Sequence, residues 1–555
     1  MSVSDKSAAP RSFDLDVLIV GAGPTGLALA MQLQRFGGRF RIIDKLDERT
    51  RESRALAVQA RSLELLQMFG RGEALVARGN TSARLKLHLE GRALAPVNLG
   101  NLGATDTRYP FILFVSQSET ETVLADYLNA SGVVVERGVE LVTFTVADGV
   151  ECVLRQDDGT QERIRTRFLV GCDGAHSTVR KGTGIPFEGG SYPQDFVLGD
   201  VELDGPLEPN AINSFAGGGG VAMFFPLGRP TTWRVIAMSA PAGADSTLGQ
   251  MRATTSDLSL SELQTIVDPP TAGAVLLRDP AWLTRFHLHH RQIATYRHGN
   301  VFLAGDAAHI HSPVGAQGMN TGLQDAWNLG WKLAFVTQGL ANTRLLDSYN
   351  AERWPVGRFL LRYTDRLFTT FTSAMSGRPF ATWVRRFIAP RVVPRVFGST
   401  WVRRTAFAFV SELGIRYRHS PAVKEGDPPQ RGGPHAGDRL PDAEVRVDGR
   451  LTYLQEALAG RHLALLLCGD PHNWDSDELM RVRERYGHVL SVFRLTRNPI
   501  EGDLIDERGD AFARLSVRVA AQYLVRPDGY VAFRCAGTGF EALEQYLATW
   551  YTTSG

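Results

Sequence analysis

At 555 residues the chain is too long for one hydrophobic core and has room for two or three domains. Its 61 basic and 59 acidic side chains nearly cancel to a formal +2, which leaves no whole-chain attraction for nucleic acid or an anionic membrane. Four scattered cysteines (Cys152, Cys172, Cys468, Cys535) exclude a disulfide framework and a Cys-x-x-Cys metal site; with polar residues 1–13 and no apolar run of about 20 residues, they predict a cytoplasmic protein without a membrane span.

The first predicted elements form one unit. Asp16-Val-Leu-Ile-Val20 reads as a strand running into Gly21-Ala-Gly-Pro-Thr-Gly26, followed by a helix from Leu27 to Phe36 and a second strand, Arg39-Phe-Arg-Ile-Ile-Asp44. Gly21 allows the tight turn, Gly23 lets the backbone approach a pyrophosphate, and Gly26 lets the helix lie close on the sheet; the N–H groups opening the helix attract phosphate. Asp44, at the end of the second strand, is placed to accept hydrogen bonds from a ribose. The unit predicts dinucleotide binding. Next comes a charged loop, 46–54, whose Arg49, Arg51 and Arg54 read more readily as a solvated face than as a phosphate site. A helix is predicted over Ala55–Phe69 and a strand over Phe111–Val115. Ser116, with Glu119 three residues on, then opens a helix through Leu128. Residues 133–135 and 153–169 read as strands.

Phe168-Leu-Val-Gly-Cys-Asp-Gly-Ala-His-Ser-Thr-Val-Arg180 repeats the strand, turn and helix pattern around Asp173-Gly174. Residues 190–300 change character, with a glycine run at 217–220, strand-like 221–225 and 232–236, and few helical periods before Leu260. They predict a β-rich insert. Within it Phe286, His287, His289 and His290 imitate a metal cluster but lack a third ligand at suitable spacing, so no metal is expected. A third glycine loop follows a buried strand at 299–322. It delivers Asp306 to a turn where its carboxylate can hold sugar hydroxyls. Gly315, Gly318 and Gly322 bring the backbone close to something flat, and a helix start then offers N–H groups to a developing anion.

Taken together, the Gly-x-Gly-x-x-Gly loop, the Asp173-Gly174 stretch and the Gly305-Asp306 stretch ending in Gly-Met-Asn-Thr-Gly322 resemble the three fingerprints of the class A FAD-dependent aromatic monooxygenases, over residues 14 to about 360. The resemblance implies an FAD enzyme that hydroxylates a phenolic or polycyclic aromatic with NADH or NADPH and O2 through a flavin hydroperoxide. On matching positions it implies that Gly21, Gly23 and Gly26 hold the pyrophosphate and Asp44 the adenosine ribose. Arg61 and Gln117 lie near the FAD, Asp173 serves FAD and the nicotinamide, and Asp306 binds the ribityl chain. Gly318, Met319 and Asn320 face the pyrimidine side of the flavin, and Pro313 lies at its reacting edge. The helix start at 318–320 would stabilise the anionic reduced ring. Catalysis is then a matter of flavin-ring environment, with no side-chain base assigned, because the cofactor carries the hard step. Leu56 occupies the position where phenol hydroxylase-type enzymes carry an aspartate that helps deprotonate the phenol. A leucine cannot accept a proton, so either another group is the base or the substrate is already acidic and electron-rich; an apolar Leu56 also suits a large flat ligand.

Beyond Leu340 the chain reads as helical and basic, then passes through a Pro/Gly-rich loop, 426–437, that reads as a linker. The remainder predicts a separate α/β unit. Its strands are His462–Leu467 and Val489–Leu495, with a helix near Asp477–Tyr486 between them. A hairpin turning at Pro527-Asp-Gly529 follows, then a final helix from Phe540. This order resembles the thioredoxin-like tail of phenol hydroxylase-type members. Cys468 lacks a resolving partner, so the tail is expected to be structural, with a possible homodimer interface. The expected fold is therefore α/β. A Rossmann-like FAD-binding domain (14–190 and 296–425, the second part with a helical connection) carries a β-rich substrate domain (191–295), and a thioredoxin-like domain occupies 436–555. Two other readings remain: another FAD oxidoreductase (a halogenase, against which no Trp-x-Trp-x-Ile-Pro stretch is found, or a double-bond reductase), or a non-catalytic FAD-bound interaction protein.

Overall fold

The structure, a computed structural model, describes residues 13–49, 55–81, 84–94, 96–98, 104–227, 233–239, 258–311, 317–374, 383, 387–388, 391–392, 405, 407–460, 462–498 and 500–554. At its centre Leu15–Val20 pairs in parallel with Phe40–Asp44 on one side and Gln161–Gly171 on the other, and Gln161–Gly171 pairs in parallel with Val301–Leu303. Val17, Leu18 and Ile19 are all fully buried, as expected of a parallel strand covered on both faces rather than one that alternates. The helices Pro24–Arg35 and Gly318–Thr337 lie side by side against this sheet. Their approach is close because glycines stand at the contact: a Cβ on Gly330 would come within 2.4 Å of the Gln32 Cβ, and one on Gly322 within 2.5 Å of the Thr25 hydroxyl.

A second, nine-stranded sheet packs the helix Leu260–Thr271 on one face, through Phe215, Phe224, Val235, Leu263 and Val267. Its opposite face carries a second apolar cluster, Phe196, Ala216, Val221 and Met238, with Leu89, Met223 and Ile236 packed against it. The alternation along Ala211–Gly217, Gly220–Pro226 and Trp233–Ser239 sorts residues between the two faces, as the period of two requires. This sheet draws its strands from outside the 191–295 segment as well. Arg84–Leu89 pairs in parallel with Ala211–Gly217, and His309–Ile310 pairs with Arg291 and Gln292. Contiguous numbering could not reveal that, because strand pairing is a through-space property.

In the third sheet Leu463–Gly469 pairs in parallel with Leu490–Thr496 and antiparallel with Ala520–Val525, which forms the hairpin with Val531–Ala536; the helices Ser476–Tyr486 and Glu541–Trp550 complete the unit. The stretch at 426–437 is not a free linker. Lys424–Glu425 adds a strand to the sheet, and buried Arg534 donates to Glu425 and to the carbonyls of Gly432 and Pro434. Two local expectations also change. The helix expected from Ala55 begins at Ala60, because residues 57–58 pair as a strand with Leu113–Phe114. Residues 133–135 form no strand. Ser116 does cap its helix, accepting from the Glu119 N–H at 3.3 Å. Among the described residues no helix is long and apolar enough to cross a membrane, and no cluster of three or more His, Cys, Asp or Glu is arranged to hold a metal.

Candidate active site

The strands 15–20, 161–171 and 301–303 are neighbours in the first sheet, so the three glycine loops that leave their carboxyl ends converge on one crevice. Contacts stitch the loops together: Cys172 N–H donates to the Val20 carbonyl at 2.7 Å, Ala304 N–H to Gly171 at 3.0 Å, and Gly21 N–H to Ile43 at 2.8 Å. Gly21 sits at φ +101, where a Cβ would strike the Cys172 carbonyl at 2.4 Å; a Cβ on Gly26 would strike the Gly21 carbonyl at 1.9 Å. Gly23 differs. Nothing lies within 4 Å of the position its Cβ would take, so the loop is open at the point a pyrophosphate would approach. The helix behind it starts with Pro24 and has no side-chain cap. Asp44 ties the second strand to this loop, accepting from Ala22 N–H at 2.7 Å and Leu46 N–H at 2.9 Å.

Asp306 is exposed in a short 3-10 turn directly after the third strand, and Thr25 is wedged between Gly305 and Gly322 beneath it. The Gly318–Thr337 helix begins at the same crevice without a side-chain cap, Gly318 has open space above it, and both amide atoms of buried Gln317 lack a hydrogen-bond partner. Met319 packs half-buried on the core. Asn320, fully buried, locks the start of the helix to the chain at 57–59: its Oδ1 accepts from Gln59 N–H at 2.9 Å and its Nδ2 donates to the Ala57 carbonyl at 3.0 Å. Open glycine backbones, two uncapped helix starts and an exposed carboxylate at one sheet edge are the features that an FAD would need. Pro313 and Gly315 lie outside the described residues, as do Arg51, Arg54 and the side chains of Phe286 and His287.

Other predicted residues sit differently. Gln117, in the first turn of its helix, donates to Glu121 at 2.9 Å, and Arg49 donates to Thr122 at 3.1 Å. The Asp173 carboxylate caps the helix Thr178–Thr183, accepting from Thr178 N–H at 2.7 Å and Val179 N–H at 3.1 Å through one oxygen, while the other has no partner. Leu56 is buried beside the strand at 57–58, its carbonyl accepting from Val115. Arg61 is a correction. Its guanidinium is wholly buried under the C-terminal domain, bonded to Glu64 at 2.7 Å and the Asp528 carbonyl at 2.5 Å and lying over the Tyr530 ring, so its side chain serves a domain seam rather than the cofactor.

Sequence reasoning missed a buried polar chain beneath the third loop. Asp325, on the inner face of the Gly318–Thr337 helix, accepts from Gly305 N–H at 3.0 Å, from Arg353 Nε at 2.7 Å, and lies 2.7 Å from His309 Nε2. His309 Nδ1 is in turn 2.8 Å from His311 Nε2. Tyr296 stacks on His309, and Arg353 also donates to the Tyr417 hydroxyl and the Thr321 carbonyl. Burial alone would raise the Asp325 carboxyl, but Arg353 and His309 outweigh it and hold the group below the usual carboxylate range. The signal in the chain was the His-x-His after Gly-Asp; its partners, 14 or more residues further on, carried none.

Residues 14–364 match the family model described as FAD binding domain, and residues 433–553 match the one described as aromatic-ring hydroxylase, C-terminal. The 6-methylpretetramide 4-monooxygenase of Streptomyces rimosus is 36% identical over 97% of this chain and 94% of its own length. The pentachlorophenol 4-monooxygenase of Sphingobium chlorophenolicum is 34% identical over 96% of each. A solved ternary complex of aklavinone-11 hydroxylase with FAD and aklavinone superposes with a TM-score of 0.75 at 25% identity, covering 97% of this chain and 99% of that one.

Proposed function

Because the chain belongs to the family of FAD-dependent aromatic-ring monooxygenases, we propose that its own substrate is a polycyclic, polyhydroxylated aromatic, hydroxylated with O2 and NADH or NADPH in the cytoplasm. The observation that carries the substrate class is the apolar face of the second sheet that lies opposite its helix. Phe196, Ala216, Val221 and Met238, flanked by Leu89, Met223 and Ile236, make an apolar floor several side chains wide, suited to a flat ring system. Buried Leu56 offers no charge that would favour a small polar phenol.

When bound, FAD supplies the oxygen-activating and hydroxyl-transferring chemistry. The protein's part is binding and orientation. Gly21, Gly23 and the uncapped start of Pro24–Arg35 would hold the pyrophosphate, with Gly26 keeping that helix close. Asp44 would meet the adenosine ribose and Asp306 the ribityl chain. Gly318 and Met319, at the second uncapped helix start, would direct backbone N–H groups at the pyrimidine side of the ring, where negative charge develops on reduction. Asn320 acts one step back, fixing that helix start to residues 57–59. The test is oxygen uptake and product analysis with NADPH across phenol, pentachlorophenol and hydroxylated naphthalenes, anthraquinones and tetracyclic phenols. Coupled product from the multi-ring members, with phenol giving mainly peroxide, is the expected result. Efficient coupled conversion of phenol itself would overturn the substrate class.

A further inference from the structure

With both imidazoles neutral, the hydrogen-bonded chain under the third loop has one consistent proton arrangement. Asp325 is held ionised by Arg353, so it accepts at Oδ2, and the facing His309 Nε2 must be the N–H. That leaves His309 Nδ1 with a lone pair, so the hydrogen across the 2.8 Å contact belongs to His311 Nε2. His311 Nδ1 is then a bare lone pair. It is buried and makes no hydrogen bond. A neutral imidazole oriented through a second ring by a carboxylate is the arrangement of a positioned base.

The pair sits where the edge of the second sheet meets the third loop. In Leu276–Ile293, Trp282 stands opposite Asp200, and Thr284 opposite Leu198, on the same side as Phe196 and the apolar floor; Arg285 reaches Glu262 on the helix-covered side. Between Trp282 and Thr284 the even-numbered positions of this strand share the floor's face; past the register shift between His287 and His289, Gln292, opposite His309, donates to the Tyr296 hydroxyl and the Trp354 carbonyl. His311, the residue after that short strand, holds its ring 4.7 Å from that of His309, and the helix start at Gly318 is seven residues on.

We propose that His311 Nδ1 accepts the proton of a substrate hydroxyl and that His309 stores it against Asp325; this rests on the phenolic substrate class proposed above. The substrate O–H breaks and its hydrogen bonds to His311 Nδ1. His311 Nε2–H passes to His309 Nδ1, leaving His309 doubly protonated beside the carboxylate and the substrate an electron-rich phenolate. Once the new hydroxyl is on the ring and its carbon has released hydrogen as H+, the stored proton returns along the same pair to the substrate oxygen. His311 is the catalytic residue; His309 and Asp325 act through it. Burial, helped by His309, holds the His311 imidazole well below its ordinary value, so it passes the proton on rather than keeping it. The titratable groups around the pair are Asp325, Arg353 behind it, the Tyr296 ring stacked on His309, Tyr349, and Glu412 near Arg353.

The test uses FAD-loaded enzyme and 2-hydroxyanthraquinone, whose visible band moves to longer wavelength on ionisation. The pH of half-ionisation of the bound probe is read for wild type, His311→Gln and His309→Gln, alongside flavin content, and product formed per NADPH is measured separately. In both variants the half-ionisation pH should rise by about one unit or more, with coupled product falling about tenfold near neutrality and recovering at high pH, one unit being a factor of ten. A merely structural pair would alter flavin content or melting and leave the ionisation pH in place. Unchanged ionisation pH or unchanged coupling in flavin-replete His311→Gln overturns the relay while leaving the substrate class standing. A wild type that neither binds nor hydroxylates any multi-ring phenol overturns both.

Discussion

The first turn of the Gly318–Thr337 helix, at the cofactor crevice, has backbone donors that no side chain caps, whereas its middle turns, under the C-terminal domain, bury Asn328 and Lys332 in a closed set of charge partners. At that seam Glu352 accepts from Lys332 at 2.8 Å, from Arg526 at 2.6 and 2.9 Å, from Asn328 at 2.6 Å and from Ser420 at 2.7 Å. Burial alone would raise the Glu352 carboxyl, but Arg526 and Lys332 hold it far below the usual range; burial pulls Lys332 down to about 8. The two ends of one helix thus treat polar groups in opposite ways. A ligand site keeps donors unclaimed by side chains and shapes the backbone with glycine, while a domain seam satisfies each charge internally, because an unpaired charge there has no water to turn to.

The comparison breaks most visibly at the seam. Glu352→Ala would leave buried Lys332 without its carboxylate and Arg526 with Asp528 in place of two carboxylates, and should cost about 3–5 kcal/mol in urea unfolding, often seen as insoluble protein. A loss below about 1 kcal/mol would mean that the seam is wetter than its burial indicates. At the crevice the largest effect should come from Gly26→Val. A side chain there meets the Gly21 carbonyl, so folded but colourless protein is expected, and a full flavin spectrum in the purified variant would remove this loop from the cofactor site.

Glu412 sharpens the contrast, because it links the two regions. It is buried, accepts from Thr321 at 3.2 Å and from Gln324 in the early turns of the helix, and burial lifts its carboxyl to about 8. A carboxyl raised in the folded state contributes stability in full below its ordinary 4.5 and loses it as pH rises through about 8. Wild type should therefore lose stability over that window, whereas Glu412→Gln should show a flatter profile; parallel pH profiles of urea midpoints would refute the assignment. The smallest effect is reserved for Cys468. It is fully buried on a strand separated from Cys535's by Ala520–Val525, and its thiol is pushed up by burial. Cys468→Ala should shift the unfolding midpoint by about 1 kcal/mol and leave turnover within about twofold. A large loss of coupled product would restore a redox role.

How much was legible follows from where each signal resides. The loops at 21–26 and 305–306, the cap at Ser116 and the hairpin turn at 527–529 were readable because local chemistry dictates them: glycine where a Cβ has no space, serine where helix donors need an acceptor, Asp-Gly where a chain reverses. Arg61 was misplaced because an arginine near a nucleotide fold gives no local sign of whether it faces a ligand or a domain seam. The second sheet's borrowed strands at 84–89 and 309–310, and the Asp325, His309 and His311 chain, depend on pairings across 16 to more than 100 residues, and composition or period cannot encode those. By itself the sequence determined the strand-to-helix turns and the residue types able to cradle a cofactor, since these rest on steric limits within a few residues. Only the tertiary structure decided which charges are sealed, which donors stay open and which imidazole nitrogen is left bare, because each of those is fixed by what packs against it from elsewhere in the chain.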